Sequence, residues 1–209
     1  MNWCIVLVSV FGGILLMYVL LELHYFLRMF LCVVYARYCR KKCHILDTTT
    51  VTGICLTTDI DTLLYHMNNA RYLREIDFAR VDFYERTGLY RSIIQNGGAV
   101  VQGASTIRYR RFIRPFSKYR ITSKIVYWDD KSIFMEHRFI SCSDQFILAI
   151  AICRQRLISC DARDAIGRLL ENPLAPAPKI PNYKPAMPLE VAKWIESNEI
   201  SSAILRSGC

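Results

Sequence analysis

Charge is missing from the start of this chain: no Asp, Glu, Lys or Arg occurs from Met1 to Leu21. That excludes a solvated N-terminal arm. A helix of about 20 apolar residues is about 30 Å long, the thickness of a bilayer's hydrocarbon core. Basic residues are absent before this run and no small-x-small pair closes it, so the composition argues against a cleaved secretory signal, which would leave a secreted protein. Every nearby cation follows the run instead: Arg28, Arg37, Arg40, Lys41 and Lys42. Lys/Arg bias sets membrane orientation, so a single-pass anchor with a lumenal or external N-terminus and a cytosolic remainder is expected. Leu23 to Val34 stays apolar around Arg28 and reads as the anchor helix leaving the bilayer along its interface.

Zinc-finger spacing is also absent. The nine cysteines make an odd set, and Cys39 and Cys43 have no His or Cys partner at ligand spacing. Free thiols in a reducing compartment agree with a cytosolic domain, and no metal or other cofactor is expected. Cys32, Cys39 and Cys43 flank the apolar segment, where S-acylation occurs. The net charge of +9 comes without any nucleic-acid motif; its first cluster follows the apolar run, where anionic headgroups attract it. Membrane lipids, not nucleic acid, are the expected partner. No internal repeat is present.

What remains is one domain's worth of patterned sequence. Residues 1–43 form the anchor and basic segment, 44–171 the globular domain, and 172–209 a proline-rich linker with a terminal helix. His44 to Thr52 reads as a polar joint and Val51 to Thr57 as a short β-prone run. Asp59 to Asn69 reads as a loop. Asn68-Asn69 supplies cap chemistry for a helix whose stripe is Tyr72, Ile76, Ala79 and Phe83, with Gly88 ending it. After Asn96-Gly97-Gly98, β character continues to about Ser159. Tyr119, Ile121, Ser123, Ile125 and Tyr127 alternate with Arg120, Thr122, Lys124, Val126 and Trp128. Asp129-Asp130-Lys131 turns into a strand at Ser132–Ser141. Ser143-Asp144-Gln145 turns into Phe146–Cys153, whose unbroken apolar run suits a central strand covered on both faces. A short helix follows from Asp161 to Glu171. Six of the seven prolines lie between Pro173 and Pro188, and Leu189 to Arg206 reads as a helix docking through Trp194, Ile195, Ile204 and Leu205. One strand, a long helix and four antiparallel strands make an α+β order.

The stretch Asp59-Ile60-Asp61 followed by His66-Met67-Asn68-Asn69-Ala70-Arg71-Tyr72 resembles the signature of hotdog thioesterases of the 4-hydroxybenzoyl-CoA and acyl-ACP type. Ile107-Arg108-Tyr109-Arg110-Arg111 and Pro115-Phe116 are similar to that family's second strand and its exit turn. Within the family, the block from His66 to Glu75, Asp77-Phe78-Ala79-Arg80 and Trp128-Asp129-Asp130 resemble the thioesterase superfamily member 6 group. The resemblance implies a hotdog fold, a curved antiparallel sheet wrapped around one long helix. It also implies an acyl-CoA substrate bound between the subunits of a homodimer or higher homo-oligomer, in this case at a membrane such as the endoplasmic reticulum.

Thioester hydrolysis needs a carboxylate to attack the carbonyl or activate water, and donors for the developing oxyanion. By resemblance Asp61 is the nucleophile or general base, and His66 orients it or the substrate. Asn68, Asn69, Ala70 and Tyr72 line the substrate at the helix start, where the resemblance implies that the N–H groups near Asn69 and Ala70 form the oxyanion hole. In some relatives the acid lies further along the helix, which nominates Glu75 or Asp77. Leu63 occupies the place of an asparagine in acyl-ACP thioesterases, and the Asp-to-His spacing is one residue longer here. Two readings therefore stand: a thioesterase acting on fatty acyl-CoA, and a hotdog protein that binds acyl-CoA or protein partners without hydrolysis.

Overall fold

The computed structural model describes residues 2–63, 65–170 and 184–208. Leu64, most of the proline-rich stretch, Glu171 and Cys209 lie outside the described residues. The chain divides into two compact units, residues 1–40 and 41–209.

The first unit is two helices, α1 (Asn2–Leu21) and α2 (Leu23–Tyr38). They meet at Glu22, held in the left-handed region at φ 45°. Among the described residues no single helix is long and apolar enough to cross a membrane; α1 and α2 satisfy length and composition together, as a pair bent by 79°. α1 is apolar on all sides and its described side chains are exposed.

In the second unit, β1 (Thr49–Ile54) precedes a 3₁₀ turn and the long helix α3 (Asn69–Thr87). A short helix α4 (Leu89–Gln95) leads to β2 (Ala99–Tyr109), β3 (Lys118–Trp128), β4 (Ser132–Ser141) and β5 (Ile147–Ile158). Helices α5 (Ala162–Leu170) and α6 (Leu189–Ser207) end the chain. The sheet is antiparallel with order β1-β3-β4-β5-β2. This is the expected α+β hotdog arrangement. Tyr72, Ile76, Ala79 and Phe83 are all buried, as the helical period requires, and face the inner side of the sheet. Asn68 caps α3 by accepting the Ala70 N–H at 2.9 Å, and Gly88 ends it at φ 78°.

Several local expectations are corrected. The segment at His44–Asp47 is no polar joint: all four residues are buried, and Ile45 and Leu46 join the core around Phe83 and Trp128. The Cys43 N–H bonds to Arg86 O, and Arg86 Nε to Lys41 O, so the start of the domain is fastened to the C-terminal end of α3. Alternation in β3 fails at its end because the register shifts between Ile125 and Tyr127. That irregularity turns Trp128 into the core and leaves Tyr127 only partly buried.

β5 is an interior strand, hydrogen-bonded to both β4 and β2 and buried at most positions, and Phe146 precedes it. β2 ends at Tyr109, so Arg110 and Arg111 lie beyond it. Helix α4 went unrecognised because its seven residues are too short for a period to show. Helix α6 docks on the outer face of the sheet through Val191, Trp194 and Ile195, against Phe134 and Ile152. Ile204 and Leu205 point to solvent, 65% and 69% exposed.

Candidate active site

The loop between β1 and α3 is closed by backbone. Asp61 N–H donates to His66 O at 3.0 Å, Asn68 N–H to Asp59 O at 2.8 Å, and Met67 N–H to Ile113 O at 2.8 Å. These bonds, with the bridge between Ile60 and Met67, hold the start of α3 against the segment after β2. The Asp59 carboxylate accepts the Leu56 N–H at 2.9 Å and lies 3.7 Å from Arg71 Nε, so it organises the loop.

Asp61 and His66 are brought together. Asp61 Oδ1 accepts the Tyr65 N–H at 3.2 Å, and Oδ2 lies 3.7 Å from His66 Nε2. His66 Nδ1 is 2.8 Å from Met67 O. A carbonyl only accepts, so Nδ1 carries a proton. Nε2 then faces the carboxylate. The ring stacks on Phe112 at 4.2 Å between centroids, which sets its plane.

The helix entrance is divided between structure and solvent. The Ala70 N–H is spent on Asn68 Oδ1. The Asn69 N–H, at the first helical position, has no intrahelical acceptor. Of the expected oxyanion donors, Ala70 is thus committed to the cap. Asn69 O accepts from Tyr109 Oη at 3.2 Å, and the Tyr109 ring meets Tyr72 edge-on at 4.9 Å. Tyr72 is 2% exposed, and burial pushes its hydroxyl up to about 12, so it stays a neutral wall of the site.

The two further carboxylates sit elsewhere. Glu75 is buried and accepts from Tyr119 Oη at 2.9 Å. Asp77 pairs with Arg80 at 2.8 Å on the helix flank. Cys55 is buried near the Asp59 and Glu75 carboxylates; burial first and those charges second push its thiol up to about 11, which keeps it protonated and weakly nucleophilic. Among the described residues no group of three His, Cys, Asp or Glu side chains could hold a metal ion.

A cleft of about 610 Å³ opens beside this loop, lined in part by Arg111, Phe112, Ile113, Arg114, Lys118 and Asp144. Asp61 and His66 do not line it, but Phe112 belongs to both: it stacks on His66 and forms the cleft wall. Phe112, Tyr109 and Tyr119 escaped sequence reasoning. They come from β2, its exit and β3, and no spacing relates them to the Asp-His-Asn block.

A curved five-stranded antiparallel sheet around one helix, with this loop at the helix entrance, defines a hotdog-fold thioesterase-like protein. Residues 55–195 match the Thioesterase-like superfamily, and the chain belongs to it. It is 40% identical to Protein THEM6 of Drosophila melanogaster over 206 residues, 99% of this chain and 98% of that protein. It is 35% identical to Protein THEM6 of Xenopus laevis over 196 residues, 94% of this chain and 90% of the other. The crystal structure of YbaW, a probable thioesterase from Escherichia coli, superposes with TM-score 0.54 at 22% identity, covering 58% of this chain and 96% of that one.

Proposed function

We propose that this protein is a membrane-anchored acyl-CoA thioesterase in which Asp61 is the working carboxylate. The observation that carries this reading is the pairing of Asp61 with His66 at the entrance of α3, one residue block from the Asn69 N–H. The Asp61 carboxylate either attacks the thioester carbonyl, giving a mixed anhydride that water then hydrolyses to the free acid and the restored carboxylate, or takes the proton of an attacking water; in both routes the C–S bond breaks and the CoA thiolate leaves and takes up a proton. The partial positive charge of the helix start and the Asn69 N–H stabilise the oxyanion. His66, held by Met67 O and Phe112, keeps the carboxylate in position. Arg108 and Arg110, exposed within the basic run from Arg108 to Arg114, suit the phosphates of CoA.

The chain is held by its apolar N-terminal unit, with the domain on the cytosolic side of an internal membrane such as the endoplasmic reticulum. The all-apolar α1 and the cations that follow it support this. A second copy completes the site: β2 is an 11-residue edge strand with most side chains exposed, and such an edge invites pairing.

The test is thiol release from a panel of acyl-CoAs by the full chain in detergent, against Asp61→Ala. The wild type should hydrolyse at least one substrate, and the variant should lose about 100-fold or more in rate, the scale of a removed general base. A second reading is favoured by Leu63, 80% exposed where polar relatives carry asparagine: binding of acyl-CoA without turnover. Equal inertness of wild type and variant with retained acyl-CoA binding establishes that reading instead. A glycan acceptor grafted into α6 should remain unmodified; its modification would reverse the topology.

A further inference from the structure

Large apolar side chains stand exposed at one end of the sheet, around the mouth of the candidate site. Leu56, Leu63, Tyr65, Phe112 and Phe116 are 47%, 80%, 62%, 57% and 66% exposed. They come from three segments that the fold ties together: Phe116 N–H donates to Cys55 O at 2.7 Å, Met67 N–H to Ile113 O at 2.8 Å, and Tyr65 lies 5.8 Å from Phe112. Scattered exposed leucines are ordinary, but a cluster of this size marks a contact surface.

Phe116 is set apart further by its backbone, at φ 61°. A bulky aromatic in the left-handed region is a strained choice where glycine would be at ease. Folding gains nothing from a strained, solvent-facing ring, so its place is explained by something it touches outside the domain.

Charge decides the partner. Arg114 and Lys118, both exposed, border the same loops, and two nearby carboxylates already face cations, Asp144 with Arg111 and Asp59 with Arg71. Aromatic and aliphatic tips ringed by cations match an anionic lipid surface, where rings sit at headgroup level and each nearby cation adds attraction. We infer that this loop cluster docks on an anionic lipid surface and opens the Asp61–His66 site toward it.

The inference rests on the membrane anchoring proposed above, and the topology permits it. The domain begins at Lys41–Asp47, bonded to the C-terminal end of α3, while the patch sits at the N-terminal end, roughly 28 Å away along a 19-residue helix. The β1 side of the patch, with Leu56 and Phe116, is at the edge opposite β2, so a second copy pairing through β2 leaves it open. The consequence for substrate is direct. His66 stacks on Phe112, so the site mouth meets the bilayer, and acyl chains long enough to partition there are the class favoured.

The test follows hydrogen exchange of the full chain in nanodiscs of phosphatidylcholine with and without phosphatidylserine, and in detergent. Residues 54–65 and 110–117 should exchange severalfold more slowly in the anionic discs than in either other setting. Arg114→Glu should abolish the difference. Phe116→Gly should abolish it too while raising the melting temperature, because glycine relieves the left-handed strain; loss of docking in a more stable variant excludes misfolding. Equal exchange in both discs with the chain still co-eluting overturns docking alone. Protection in detergent that grows with protein concentration assigns the patch to a second copy and also overturns it. A chain that leaves the discs overturns the anchoring reading and docking together.

Discussion

Gly53 shows how one residue positions a carboxylate that sequence alone left ambiguous. It pairs with Tyr119 across β1 and β3, and a Cβ there would lie 2.7 Å from the Tyr119 ring and hydroxyl. The ring crosses this vacancy to deliver its hydroxyl to Glu75, so the tyrosine cannot swing aside without losing that bond. Gly53→Ala should therefore destabilise the domain by about 1–3 kcal/mol in denaturant melts. The resemblance nominated Glu75 as an alternative acid; in the structure it is buried and bonded to this partner. A second residue-scale effect concerns His137, buried on β4 with Nδ1 2.8 Å from Ser123 Oγ. Burial, aided by the Arg80 charge, holds it down at about 3, against 6.5 for a free imidazole. The folded state keeps this ring neutral while the unfolded chain takes up a proton below 6.5. Stability should thus fall as pH drops through the window from 6.5 toward 3, by about 2 kcal/mol at about pH 5. His137→Gln should flatten that loss in urea melts at the two pH values.

At the scale of elements, α6 is held by its first half alone. Val191 is fully buried, and the Trp194 ring meets Phe134 edge-on at 6.3 Å. Val191→Asp should release the helix, raising its amide exchange to that of free peptide while β3–β5 remain protected. Ser substitutions at Ile204 and Leu205 should change stability by less than about 0.5 kcal/mol, because those side chains are already in solvent. Period-based reading found α6 but not which half docks, since both halves offer apolar residues and only the outer face of the sheet chooses between them. The same limit applies to β3. Strict alternation groups Tyr127 with Ile121 and Ile125, and a single irregularity after Ile125 reversed the end of the strand.

For the whole molecule, the two edges of the sheet have different fates. β1 is short and adjoins the loop cluster, whereas β2 offers the longer exposed edge for the second copy proposed above. Lysines at Val101 and Ser105, both exposed on β2, should shift the detergent-solubilised protein toward monomer in light scattering. Thiol release should fall with it if the substrate site spans two chains. Wild-type behaviour from a monomeric variant would remove the second copy from the mechanism.

Local chemistry was legible in the sequence: the uncharged start, the Asn68 cap, the α3 stripe and the Gly88 stop all depend on short-range rules of period, capping and backbone freedom. Those suffice for the α+β order, whereas Asp61 and His66 were named by the resemblance of their block to a thioesterase signature. Tertiary structure alone decided that Glu75 is locked by Tyr119, that Phe112 stacks on His66, that Ala70 is committed to the cap, and that Leu63, Tyr65 and Phe116 gather beside the site. Each of those facts joins residues on different elements, and contacts of that kind are set by how the sheet curves around the helix, which no spacing along the chain encodes.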